Sequence, residues 1–136
     1  MDKKEIKYEI KKLKIHDDER GWFLEIAKAS EMKFPIKQVS TASIKTGKIR
    51  GNHYHKKKHD WFCVLGGDAE FFIGDPTGKK VKKIKILENK PVMVHVFPMM
   101  AHAVKNISKN TIYFIEVVSH EYNHRNPDVL SCIICK

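Results

Sequence analysis

Short apolar runs with a period of two, each closed by a turn signal, set the strongest limit on what this chain can fold into. "KQVSTASI" (37–44), "WFCVL" (61–65), "AEFFIG" (69–74), "KKVKKIKIL" (79–87), "VMVHVF" (92–97) and "TIYFIEVVS" (111–119) are rich in β-branched and aromatic residues. Between them stand "KTGK", "GGD", "GDPTGKK", "ENKP", "FPMMAH" and "ISKN", whose residues favour reversals of direction. Half-apolar strands this short must hide one face, and closing a barrel or stacking two sheets does so; an all-β sandwich, jelly roll or barrel is predicted. "FLEIAKASEMKF" (23–34) has some helical periodicity, yet the glycine before it and the proline after it leave room for a strand and a turn. No internal repeat or linker stands out, and 136 residues suffice for one core, so a single domain over 1–136 is expected.

The net charge of +10 fits attraction to nucleic acid, to a membrane surface or to a phosphate-bearing small molecule, and charge alone does not choose among them. Many lysines alternate with apolar residues, as in "KKVKKIKIL", where outward positions of a half-buried strand would be lysine to stay wet and to discourage edge pairing. No zinc-finger spacing, helix-turn-helix pattern or arginine-rich patch with aromatics raises a nucleic-acid reading, and no apolar stretch is long enough to cross a bilayer. Without a signal-peptide pattern at the N-terminus, a cytoplasmic location is expected. The three cysteines, Cys63, Cys132 and Cys135, are an odd number for a disulfide framework. Cys132 and Cys135 form C-x-x-C in the β-branched context "VLSCIICK", where strand cysteines are the expectation.

"RGNHYHKKKHDWFCVLGG" (50–67) carries the chemistry. On a strand, positions i and i+2 share a face, so His53 and His55 project together while Tyr54 points away. Asp60 follows, His59 is a second candidate beside it, and His102 arrives from "FPMMAHAVKN". Three imidazoles and a carboxylate suit zinc, iron, manganese or nickel, so His53, His55, Asp60 and His102 are candidate ligands of a divalent metal, zinc first among them. A metal-free pocket is the other reading of the same residues.

These segments resemble the two motifs of the cupins, small jelly-roll (double-stranded β-helix) barrels: Gly51, His53, His55, Asp60 and Gly67 follow the order of the first, and Pro98, His102 and Asn106 that of the second. Aspartate stands where glutamate is usual, and two methionines replace the glycine after the second motif's proline. A narrower likeness joins them. "DERGWFLEI" (18–26) and "GKIRGNHYH" (47–55) resemble segments of dTDP-4-dehydrorhamnose 3,5-epimerases, and "SHEYNHRNPD" (119–128) resembles the stretch bearing their catalytic tyrosine. "RGNHYHKK" is also similar to the "RGxHAHKK" of sugar-nucleotide 3,4-ketoisomerases, and other pieces to the cupin domain of capsule-forming epimerase-reductases.

The resemblance implies an isomerase, an epimerase or ketoisomerase, acting on a nucleotide-linked keto sugar in polysaccharide or glycan synthesis, with no cofactor required. It implies His53 as the base, Tyr122 as the proton-returning or enolate-stabilising group, and Arg20, Glu25, Gln38, Arg50 and His55 as substrate contacts. Arginine forks pair with diphosphate oxygens better than lysine does, and Asp60 or Asp128 is the candidate carboxylate behind the histidine. A homodimer is expected, completed by the strands around 18–26, because a small barrel with free strand edges is readily extended by a partner's strand. The alternative is a metal-holding cupin that binds or senses a small ligand without turnover.

Overall fold

The computed structural model describes residues 5–136. Its strands are β1 (Tyr8–Lys12), β2 (Ile15–Asp18), β3 (Gly21–Leu24), β4 (Gln38–Ile44), β5 (Ile49–Tyr54), β6 (Asp60–Leu65), β7 (Ala69–Gly74), β8 (Val81–Ile86), β9 (Val92–Val96), β10 (Ala101–Asn106), β11 (Ile112–Val118) and β12 (Leu130–Ser131). One five-stranded sheet runs β1-β9-β6-β11-β4, the other β12-β5-β10-β7-β8, and β2 pairs with β3 in a separate hairpin. All pairings are antiparallel, and the chain crosses repeatedly from one sheet to the other, as from β4 to β5 to β6 to β7. This is a jelly roll, one of the all-β architectures that the short alternating runs allow and the one that the cupin resemblance implies.

The core lies between the sheets. Phe62, Val64, Val94, Val96 and Ile112 from one sheet meet Phe71, Ile73, Ile86 and Val104 from the other. Burying each such side chain stabilises the fold by roughly 1.5–3 kcal/mol. "WFCVL" reads as an unbroken apolar run because β6 is buried on both faces. Phe62 and Val64 enter the central core, while Trp61 and Cys63 belong to a second cluster with Met93 and Val117 on the outer face of the same sheet.

Leu24, Ile26, Met32, Phe34 and Ile36 pack over that outer face. Their spacing of two residues, on either side of a single 3-10 turn at Ala29–Glu31, explains "FLEIAKASEMKF". The helical periodicity gives way to extended chain because alternate residues have a second apolar layer to cover. The lysines of β8 follow the solvated-edge pattern: Lys83 and Lys85 are exposed while Ile86 is buried. All three cysteines are free. Cys63 is on β6, whereas Cys132 and Cys135 lie just beyond β12 in the C-terminal segment rather than on a strand. That segment is pegged by Asn52, whose side chain receives the N–H groups of Ile134 and Cys135 and donates to the Cys135 carbonyl, all within 3.0 Å.

Candidate active site in the barrel

β5 and β10 lie side by side, with His53 opposite His102 in their register. The register slips beside that pair, between His102 and Ala103, so β5 carries a bulge at Gly51 and Asn52, both with positive φ (108° and 59°). The bulge re-aims β5 so that His53 and His55 point into the barrel beside His102. The second motif's turn supplies the other support. Met99 takes φ 68°, a left-handed conformation where the family motif has its glycine, and its N–H donates to the His55 carbonyl at 2.6 Å. Asn106 is structural: fully buried, it donates to the carbonyls of Ile44 and Asn110 and accepts from Ser108.

His53, His55 and His102 bring ring nitrogens within 4.8 Å of one another. Asp60 is fully buried behind them, with Oδ2 at 2.9 Å from His55 Nε2 and 3.5 Å from His102 Nε2. The contacts are close but not aligned as hydrogen bonds, so His55 Nε2, His102 Nε2 and both Asp60 oxygens are buried without hydrogen-bond partners among the described residues. Buried polar atoms are nearly always satisfied, and a divalent ion would satisfy these. The three imidazoles, which converge, are a donor set that fits zinc, with the Asp60 carboxylate beside two of them.

The other nitrogen of His55, Nδ1, faces the Asp128 backbone carbonyl. The Asp128 carboxylate accepts the successive N–H groups of Lys56, Lys57 and Lys58 at 2.7–3.1 Å. Asp128 therefore orients His55 rather than His53, and does so through its carbonyl while its side chain anchors the loop. Burial alone would lower the His55 pKa, but the Asp60 carboxylate and the Asp128 carbonyl hold it above its ordinary value. Burial likewise works against the Asp60 carboxylate, and His55 and His102 outweigh it to keep its pKa low. His55 and Asp60 thus form an ion pair, beside which burial, then repulsion from His55, lowers His53 to about 4. His53 is a neutral imidazole at neutral pH, free to accept a proton.

A cavity of about 360 Å³ opens from His53 and His102, lined also by Arg50, Phe62, Phe114 and Glu116. Glu116 is absent from the sequence expectations. Burial, then the nearby Asp60 charge, raises its carboxyl to about 7. Arg50 is fixed at the wall by its Nε, which donates to the Ser43 carbonyl at 2.8 Å.

The remaining predicted contacts are not brought to this cavity by the chain itself. Tyr122 is 55% exposed in a surface hollow with Lys57 and Asn126, because the chain turns outward after β11 ends at Val118. Its backbone N–H donates to Gln38 Oε1, which holds Gln38 at that outer turn. Arg20 pairs with Asp18 on the β2–β3 hairpin, and Glu25 with Lys28 on the surface. His59 does not replace Asp60: its Nδ1 meets His95 Nε2 at 2.9 Å in an aromatic stack with Phe34 and Trp61 on the outer face of the sheet.

Residues 16–130 match the model of the polysaccharide biosynthesis C-terminal domain family. The chain belongs to that family. Over 120 residues it is 26% identical to the UDP-2-acetamido-2,6-beta-L-arabino-hexul-4-ose reductase of Pseudomonas aeruginosa, covering 88% of this chain but only 31% of the reductase. It is also 26% identical over 125 residues to the spore coat polysaccharide biosynthesis protein SpsL of Bacillus subtilis, covering 88% of this chain and 83% of SpsL. QdtA, a sugar 3,4-ketoisomerase from Thermoanaerobacterium thermosaccharolyticum solved with TDP, superposes with TM-score 0.73 at 21% identity, over 90% of this chain and 86% of QdtA. The barrel of this polysaccharide biosynthesis domain has the cupin fold of such RmlC-like proteins.

The histidines of this polysaccharide biosynthesis domain predict acid sensitivity. From an ordinary 6.5, burial takes His53 and His95 to about 4 and His102 to about 3. An unfolded chain protonates them below 6.5 and the folded chain does not, so their stabilisation is complete above that pH and is lost as pH falls towards 4. His53 and His95 account for roughly 3 kcal/mol apiece, a large share of the roughly 5–15 kcal/mol available to a domain. The urea midpoint should therefore drop steeply between neutral pH and about pH 4; an unchanged midpoint would contradict the buried, neutral state of these rings.

Proposed function

We propose that this domain is a nucleotide-sugar isomerase, an epimerase or 3,4-ketoisomerase acting on a dTDP- or UDP-linked keto-deoxy sugar in polysaccharide or glycan synthesis. The observation that carries the reading is His53, a neutral imidazole on the wall of the 360 Å³ barrel cavity with Arg50 beside it. The family and the relatives' names, from a keto-sugar reductase to a spore coat polysaccharide protein, support it.

In this mechanism the ketone makes the adjacent C–H acidic, and His53 removes that proton as the electron pair moves onto the keto oxygen. Phe62 and Phe114 keep water away from the enolate. Arg50 would meet the diphosphate at the rim. Arg50→Lys keeps the charge but loses the bidentate fork, so affinity for dTDP or UDP should fall about tenfold with turnover little changed; equal affinity would remove Arg50 from the site. The reading as a whole is tested by incubating the protein with dTDP- and UDP-linked 4-keto-6-deoxyglucose and following the ring protons by NMR. A new sugar spin system is expected, and unaltered sugars in both incubations would contradict an isomerase.

The orphaned nitrogens and carboxylate favour a second reading, a metal-holding cupin that binds a small ligand without turnover. His53, His55, Asp60 and His102 would hold the ion, which would supply Lewis-acid polarisation of a carbonyl oxygen. Elemental analysis showing about one zinc per chain, together with no turnover of either sugar, would select it.

The same proposal includes a homodimer and a cytoplasmic setting. Trp22 and Phe23 are 58% and 63% exposed on the two-stranded β2–β3 hairpin, which is marginal alone and is extended by no other strand among the described residues; a partner barrel would cover them. Free cysteines suit a reducing compartment, and no helix among the described residues is long and apolar enough to cross a membrane.

A further inference from the structure

We infer that Glu116 is the proton donor opposite His53, returning a proton to the substrate's α-carbon from the far wall of the cavity. The inference rests on the isomerase reading and supplies the group that this reading lacks, since Tyr122 stands outside the cavity.

The two sheets set the geometry. His53 projects from β5, in one sheet, and Glu116 from β11, in the other, and both line the same cavity. A sugar ring held between the sheets would have an imidazole on one face and a carboxyl on the other. Inverting a stereocentre needs that arrangement, because the proton leaves one face and arrives at the opposite one. Along β11 the inward positions alternate as Ile112, Phe114, Glu116 and Val118. Glu116 thus occupies a place the fold would fill with an apolar side chain, and it forms no ion pair among the described residues. A partly buried acid that forms no ion pair among the described residues and lines a cavity across from an imidazole is placed to move a proton. Its raised pKa, about 7, keeps a substantial protonated fraction at neutral pH.

The step balances. His53 takes the α-proton, and the C–H electron pair forms the carbon–carbon double bond of the enolate while the keto oxygen takes the charge. The Glu116 O–H then gives its proton to the same carbon from the other face, and the double-bond pair becomes the new C–H bond as the ketone re-forms. His53 is left protonated and Glu116 ionised. His53 loses its proton and Glu116 regains one through solvent at the cavity mouth.

Glu116→Gln in deuterium oxide separates this role from a structural one. His53 alone can still remove the α-proton and return deuterium to the same face. The variant should therefore keep wild-type uptake of deuterium into the starting sugar while product formation falls about 10²–10⁴-fold, with its urea midpoint at or above the wild type's. Glu116→Asp, which retains the acid, should restore part of the product. Unchanged product formation in Glu116→Gln would overturn the inference and leave the isomerase reading standing. Loss of uptake together with product would also overturn it, since Glu116 would then be the group that removes the proton. Absence of both uptake and product in the wild type would instead overturn the isomerase reading, and the inference with it.

Discussion

Replacing His53 by asparagine should abolish proton exchange at the carbon next to the ketone, a loss of at least about a thousandfold. In the isomerase reading the imidazole is the base at the cavity wall, and no other imidazole there is free among the described residues: His55 is bound to Asp60 and Asp128, and His102 is buried. Asparagine is smaller and uncharged, so the barrel should persist, with a urea midpoint close to the wild type's. The zinc content of the purified variant adds a second answer. If His53 is only a base, metal content is unchanged. If His53 is one of the ligands, content falls with activity, because losing one of four protein donors weakens binding directly. Undiminished exchange in His53→Asn would remove it from the chemistry.

Gly51→Ala should cause a large loss of stability, about 3 kcal/mol or more. The residue sits at φ 108°, where side chains are strained, and an added Cβ would stand 2.6 Å from the His102 carbonyl oxygen and 2.9 Å from the Ala103 Cα. Both obstacles are backbone, so no rotamer change relieves them. Relief requires β5 and β10 to separate at the bulge that aims His53 at the cavity. The melting temperature should fall by about 10 °C or more, and activity should fall with it. A shift under about 1 kcal/mol would mean that the bulge is looser than its geometry shows.

The strands were legible because their signal is local. "AEFFIG" and "TIYFIEVVS" carry the alternation that becomes β7 and β11, and the β6 run predicts a strand without revealing that two apolar layers cover it. The histidine pair was legible for the same reason, since i and i+2 share a face on any strand. What a sequence of this kind hides is the far partner. Asp128 reaches Lys56 across 72 positions, and its carbonyl, not its carboxylate, meets His55. Tyr122 matches a family segment by its neighbours, yet the path of the chain after Val118 decides that it faces solvent. Glu116 did leave a trace: a carboxylate at an inward position of β11, between Phe114 and Val118. A polar residue breaking the apolar phase of a core strand is the signal that would have found it.

Solvent deuterium uptake by the wild-type protein separates enolisation next to the ketone from any route that leaves the adjacent C–H bond intact. In deuterium oxide, with dTDP- or UDP-linked 4-keto-6-deoxyglucose, one deuterium should appear at the carbon beside the ketone, no later than any isomerised product. Product formed without deuterium at that carbon, or no incorporation into either sugar, would contradict the account.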